Sequence, residues 1–191
     1  MNLQNGEYII RCFLDDLSNL CYISGPPNVD PRREQPSPHA IVKHINRDMR
    51  IKKIREEDFS PECFVEVIHH DNVSGTINRK YGTILLRQSG TTRYAAVYQK
   101  SALLSKAKRE APKISFINMP DPDAIRKAAE FQLVAPTGNE ADGVAILSMN
   151  NDCYVEIRES SEINYLYPVC DDISQLPLQD RFAFEKRFGY F

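Results

Sequence analysis

The residues most able to do chemistry in this chain sit in a loop, not in a catalytic constellation. "GPPNVDPRREQPSP", Gly25 to Pro38, carries Pro26, Pro27, Pro31, Pro36 and Pro38 around the adjacent Arg32 and Arg33. Proline fixes φ and removes a backbone donor, so this stretch forms neither a helix nor a sheet edge, and it is expected to project as an extended segment. A stiff peptide with a basic residue at its middle is what a substrate-like protease inhibitor presents. It is held in the conformation a protease cleft accepts, so little ordering entropy is lost on binding, and the arginine suits an acidic specificity pocket. On this reading Pro31, Arg32, Arg33 and Glu34 form a protease-binding loop, with Arg32 as the primary contact because Pro31 stiffens its approach. A second basic pair, Arg79 and Lys80 in "VSGTINRKYG", is a reserve loop. Without a protease partner, the same arginines belong to a solvated proline-rich insertion.

The remaining reactive side chains carry less. No G-x-S-x-G elbow or other catalytic context surrounds a serine, so no catalytic residue is expected and the chain reads as a non-enzyme. His69 and His70 are adjacent at the end of a strand and so point to opposite faces, which keeps them from ligating one metal; no metal or cofactor is expected. The five cysteines, Cys12, Cys21, Cys63, Cys153 and Cys170, are odd in number and lack C-x-x-C spacing, which favours buried free thiols over a disulfide framework or a zinc site. "RDMRIKKIREED" gathers Arg47, Arg50, Lys52, Lys53 and Arg55, but acidic neighbours dilute it and no aromatic interleaves to stack bases, so nucleic acid is not the expected partner. Arg32 to Lys113 holds 17 Lys/Arg against 9 Asp/Glu and Asp121 to Asp180 holds 3 against 12, blocks that a compact fold is expected to interleave.

The elements that must position these loops repeat three times. A glycine opens an alternating strand in "GEYIIRC" (Gly6), "GTILLRQ" (Gly82) and "GVAILS" (Gly143), with apolar residues two and four places on: Tyr8 and Ile10, Ile84 and Leu86, Ala145 and Leu147. A turn follows each, then a tyrosine-led strand in "CYIS", "RYAAVYQ" and "CYVEIR". In the third copy the turn is "MNND", Asn150 to Asp152. Third strands fall at "HAIVKHIN", "PKISFINM" and "NYLYPVC". Fourth strands, each with a phenylalanine near its start, fall at "CFVEV" (Phe64), "EFQLV" (Phe131) and "RFAFEK" (Phe182). In the first of these Glu66 takes the place of Leu133 and Phe184, so either Val65 and Val67 face inward or the register slips by one. Each four-strand unit leaves one apolar face open, and three units must close on each other to bury it. "NRDMRIKKIREEDF", "SALLSKAKREA" and "PDPDAIRKAAE" fall outside the repeat and have the composition of short surface helices, the last with Asp121 as N-cap and Pro122 at the first helical position.

The glycine, tyrosine and phenylalanine landmarks, recurring in one order from Gly6 to Lys186, resemble a β-trefoil: an all-β fold of twelve strands in three pseudo-repeats, roughly 6–68, 82–134 and 143–186, with short helical insertions in its loops. The 191 residues then form a single domain, 1–191. The fold is shared by lectins and inhibitors and does not decide between them. The ricin-type lectins carry a glutamine, a spacer and a tryptophan near the end of each repeat, whereas this chain has no tryptophan. A glycan therefore stands as the alternative ligand. The opening "NGEYII", heading an unsecreted trefoil, is similar to the mushroom β-trefoil protease inhibitors: the trypsin-inhibiting group and the mycocypins. The former implies Arg32 or Arg33 as the contact with a serine protease. The latter implies a cysteine protease wedged by "LDDLSN" and the segment after "IVKHIN". Plant inhibitors of the Kunitz type use the loop that here holds Arg79 and Lys80. "MNLQNGEYIIRC" has neither a basic n-region nor an apolar h-region, and no stretch approaches transmembrane length; a cytoplasmic protein without membrane contact is expected.

Overall fold

The computed structural model describes residues 3–13, 19–30, 32, 36–46, 56–70, 82–98, 111–119, 129–139, 142–170, 172–173 and 176–187. They form twelve antiparallel strands: β1 Gly6–Cys12, β2 Asn19–Ser24, β3 Ile41–Asn46, β4 Phe64–His70, β5 Thr83–Gln88, β6 Arg93–Tyr98, β7 Lys113–Asn118, β8 Phe131–Val134, β9 Ala145–Ser148, β10 Cys153–Ser160, β11 Ile163–Val169 and β12 Phe182–Lys186. Each strand falls where the alternation of apolar and polar residues places it. Of the three segments read as surface helices, residues 47–55, 101–110 and 120–128 lie outside the described residues. Of the first, Asn46 ends β3 and Glu56–Asp58 form a 3-10 turn followed by Phe59.

Six strands close into a barrel. β1 pairs with β4, β4 with β5, β5 with β8, β8 with β9, and β12 with β1. A bridge between Val144 and Phe182 joins the last gap, ahead of β9 and at the start of β12. The other six strands form three hairpins, β2–β3, β6–β7 and β10–β11, each continuing from a barrel strand. The tyrosine landmark holds one register throughout: Tyr22 pairs with Arg11, Tyr94 with Arg87 and Tyr154 with Leu147. The hairpins meet around a common axis through Tyr165↔Ile41 and His39↔Ser115.

The barrel is filled by alternate residues of its six strands, as strand period dictates. Ile10 faces Phe184, Leu86 faces Val67 and Ile146 faces Leu133, all in one buried cluster with Tyr8, Ile84, Val65, Phe131 and Phe182. One expectation needs correction at this level, and one open alternative is decided. In the third copy the inward pair is Val144 and Ile146, not Ala145 and Leu147, which are buried outside that cluster. Gly143 sits at φ +82 with Phe13 and Arg181 where a Cβ would lie, and the inward residues fall one and three places after it instead of two and four. In the first copy Val65 and Val67 fill the barrel, and Phe64 turns outward into a smaller cluster with Ile9, Tyr22 and Cys63. Glu66 is then free to face outward and pair with Arg87 of β5.

The expectation of buried free thiols also fails for two cysteines. Cys153 and Cys170 form a disulfide, because the β10–β11 register that sets Tyr154 opposite Val169 puts them opposite one another on the next rung. Cys12, Cys21 and Cys63 are buried thiols.

Candidate functional site

The loop from Gly25 to Ala40 leaves and returns on one rung, since Ser24 and Ile41 are register partners at the end of the β2–β3 hairpin. Its two roots are fastened. On the departing side the Gly25 amide donates to Glu62 O at 2.9 Å, the Gln88 side-chain amide donates to Pro26 O at 2.7 Å, and Arg93 Nη1 donates to Pro27 O at 3.3 Å. Gly25 is closely packed where it lies: a Cβ would come within 3.1 Å of the Gln88 side chain and the Phe116 ring, and both would have to give by a few tenths of an ångström. On the returning side the Phe116 amide donates to Pro38 O at 2.8 Å and the Ala40 amide to Ile114 O at 2.9 Å. Gln88 is 2% exposed and Ala40 fully buried, so these ties are made out of water, where an unmade hydrogen bond is most costly.

Between the roots Arg32 is exposed, and its backbone amide donates to Asp30 Oδ1 at 2.9 Å, an Asx turn that fixes the chain as it reaches the arginine. Arg32 is the predicted contact residue that the structure places. Pro31, Arg33 and Glu34 lie outside the described residues, as do Arg79 and Lys80 of the reserve loop. So do the segments 14–18 and 47–55 that the mycocypin resemblance points to, the latter holding Arg50, Lys52, Lys53 and Arg55; Arg47 lies there too.

A second cluster, which the sequence patterning did not single out, lies where the three hairpins meet. The Lys113 ammonium of β7 sits 4.9 Å from the centre of the Tyr165 ring and 5.8 Å from that of Tyr167, both on β11. His39 meets the Tyr165 ring edge-on at 5.9 Å, and its Nδ1 is 2.8 Å from Ser115 Oγ. All three copies contribute to it, His39 from the first, Lys113 and Ser115 from the second and Tyr165 and Tyr167 from the third, which is why spacing along the chain could not reveal it. Tyr165 and Tyr167 alternate with the buried Leu166, and that period-2 pattern in "NYLYPVC" was the available signal.

The other titratable groups are structural. His69 is bound through its ring to Leu3 O at 2.6 Å and through its amide to Asn5 Oδ1 at 2.7 Å. Burial pushes the Cys63 thiol up to about 12 and raises the Tyr22 phenol. Asp180 is fully buried; burial pushes its carboxyl up to about 6, although its Oδ1 accepts a hydrogen bond from the Ile157 amide at 2.7 Å. Hydrogen bonding to Glu66 raises the Arg87 guanidinium. Among the described residues no three of His, Cys, Asp and Glu converge as metal ligands, and no helix is long and apolar enough to cross a membrane.

No family model and no curated protein matches the sequence. Solved structures do match. One is a Caenorhabditis elegans protein of unknown function from structural genomics, 8% identical, with a TM-score of 0.56 over 97% of this chain and 97% of that one. Another is the BEL beta-trefoil in an apo crystal form, 12% identical, with a TM-score of 0.50 over 96% of this chain and 94% of that one. At such identities the likeness is one of fold, and together with the closed barrel and its three hairpins it makes this chain a β-trefoil.

Proposed function

We propose that the protein is a binding β-trefoil without catalytic activity that inhibits a protease by inserting the Gly25–Ala40 loop into its active-site cleft, with Arg32 in the specificity pocket of a trypsin-like serine protease. One observation carries this reading. Both roots of the loop are tied to neighbouring elements by hydrogen bonds, the departing one to Glu62 and Gln88 and the returning one to β7, while Arg32 between them is exposed on a backbone held by Asp30. Fixing the roots and the approach to Arg32 before binding avoids about 0.5–1.5 kcal/mol of ordering cost per side chain already immobilised there. Arg33 is the neighbouring candidate for the same pocket, and Glu34 and Pro31 flank the pair.

The test is inhibition of trypsin and papain by the purified protein and by an Arg32→Ala, Arg33→Ala double variant. Truncating a paired, desolvated charge costs about 2–5 kcal/mol, so the variant is expected to lose at least ~30-fold in affinity for trypsin. Equal inhibition by both proteins would move the contact to another loop, with Arg79 and Lys80 next in line. No inhibition of either enzyme would return the arginines to ordinary surface.

A second reading, a carbohydrate-binding trefoil, is favoured by the tyrosine and lysine cluster at the hairpin axis, since half-exposed aromatic rings beside polar groups suit a sugar. A glycan array separates the two. A strong hit abolished by Tyr165→Ala, with no protease inhibition, would put the glycan first.

A further inference from the structure

Cys12 and Cys21 are Cα partners across the β1–β2 ladder. Opposite residues of an antiparallel pair point to the same face and stand about 4.5–5.5 Å apart at Cα, inside the roughly 4.4–6.8 Å that a disulfide spans. Both side chains are 1% exposed and belong to the main core cluster. On its other side Cys21 faces His44 of β3, with Sγ 3.1 Å from Nδ1, and His44 is exposed.

The internal symmetry gives this arrangement meaning. Cys21 and Cys153 occupy one pseudo-threefold position, each directly before the tyrosine landmark, Tyr22 or Tyr154. In the third copy the sulfur partner is Cys170 on the hairpin strand, and Ser148 stands opposite on the barrel strand. In the first copy the roles are exchanged: the barrel strand supplies Cys12 and the hairpin strand supplies His44. The odd cysteine count then resolves as two cross-strand pairs and one remainder, Cys63, which lies in a separate cluster with Phe64 and Tyr22.

We infer that Cys12 and Cys21 are a peroxide-oxidisable pair that closes into a second intramolecular disulfide, with His44 as the base that starts the reaction. His44 Nδ1 takes the proton from Cys21 Sγ, and the thiolate attacks one oxygen of hydrogen peroxide. This forms the sulfenic acid and expels hydroxide, which recovers the proton from His44 and leaves as water. The Cys12 sulfur then attacks the sulfenic sulfur. The S–S bond forms, and the hydroxyl departs with the Cys12 proton as a second water. Two thiols are oxidised and one peroxide is reduced to two waters. The bond ties β1 to β2, the strand that feeds Gly25, and so stiffens the departing root of the loop. Cys63 is as buried as the pair but lies in a separate cluster with Phe64 and Tyr22, away from the Cys12–Cys21 rung and the His44 ring, and burial pushes its thiol up to about 12.

The experiment treats the full chain with hydrogen peroxide, alkylates after denaturation and maps peptides without reduction. The expected result is a Cys12–Cys21 peptide lacking two hydrogen atoms beside the Cys153–Cys170 peptide, with Cys63 alkylated, and a Tm higher by about 5 °C than the untreated protein. Cys12→Ser should abolish that rise, and His44→Gln should slow oxidation about 10-fold or more while giving the same product. If Cys12 and Cys21 remain alkylatable, or if either ends as a sulfinic acid or bonded to another cysteine, the pair is not a disulfide site. Oxidation of His44→Gln at the unaltered rate would remove His44 from the reaction. Should Cys12→Ser fail to fold, the peptide map of the unaltered chain still decides.

Discussion

The β2–β3 and β10–β11 hairpins occupy the same place in the threefold plan, yet they close in opposite ways. In β10–β11 the last rung is Ser160↔Ile163, so Ser161 and Glu162 make the whole turn, at φ 53 and 66. In β2–β3 the last rung is Ser24↔Ile41, and everything from Gly25 to Ala40 intervenes. The third copy demonstrates that a two-residue turn satisfies the fold here. The long proline-rich connection of the first copy is therefore surplus to folding, and surplus chain fastened at both roots is where binding residues are expected. Its ties to Glu62, Gln88, Ile114 and Phe116 offset the entropy of ordering it.

Each hairpin also rests on one buried polar side chain, and these two positions test the comparison most severely. Gln88 donates to Pro26 O, while its Oε1 meets no donor among the described residues. Gln88→Ala would strand the Pro26 carbonyl and open a cavity beneath Gly25 and Phe116. The expected loss is about 3 kcal/mol of stability, read from urea midpoints. Because it frees the departing root, it should also weaken trypsin inhibition in the same preparation. A loss below about 1 kcal/mol with inhibition intact would mean the loop is not held from this side.

Asp180 plays the corresponding part in the third copy, accepting from the Ile157 amide through Oδ1 while Oδ2 meets no donor among the described residues. Burial is the main cause of its raised pKa, with Glu156 adding to it and Arg158 opposing. The folded value of about 6 lies above the ordinary 3.8, so the native state holds a proton that the unfolded chain has lost across that interval. The resulting stabilisation is full below pH ~4 and is lost as pH rises through ~6, about 2–3 kcal/mol at roughly 1.4 kcal/mol per unit. Asp180→Asn keeps an acceptor for Ile157 and does not titrate. Its stability relative to the unaltered protein should therefore improve by about that amount between pH 4 and pH 7. A difference constant with pH would show that Asp180 does not titrate in this window, and the two hairpin roots would then be alike.

How much of this was legible in the sequence follows from which contacts are local. The strands were, because period-2 alternation is a property of neighbouring residues, and the tyrosine landmark kept its register in all three copies. The glycine landmark misled by one residue in the third copy, and the phenylalanine landmark left two registers open in the first, of which the structure takes the one with Val65 and Val67 inward. Gly143 is displaced by Phe13 and Arg181, and Phe64 by the pocket that Ile9, Tyr22 and Cys63 form; both are contacts between distant segments. The Cys153–Cys170 bond was hidden for the same reason, since only the β10–β11 register brings the two sulfurs together across 17 residues. Arg32 stood out as a candidate because proline and arginine act through local stiffness and charge, which neighbouring residues display. The His39, Lys113 and Tyr165 cluster was missed because each residue comes from a different copy.

The smallest expected effect probes the short side of the comparison. Glu162 sits at φ 66 and Ser161 at φ 53, left-handed backbone at both central positions of the turn, the pattern for which Asn-Gly is the favoured pair. A residue with a Cβ is disfavoured there by roughly 1–2 kcal/mol relative to glycine, partly offset by glycine's greater freedom in the unfolded chain. Glu162→Gly should therefore stabilise the protein by about 0.5–1 kcal/mol, raising Tm by about 2 °C in thermal melts, with trypsin inhibition unchanged because the turn closes a different hairpin. A fall in stability would mean that the turn is held by its side chains, and the minimal closure of the third copy would then be a specialised feature in its own right.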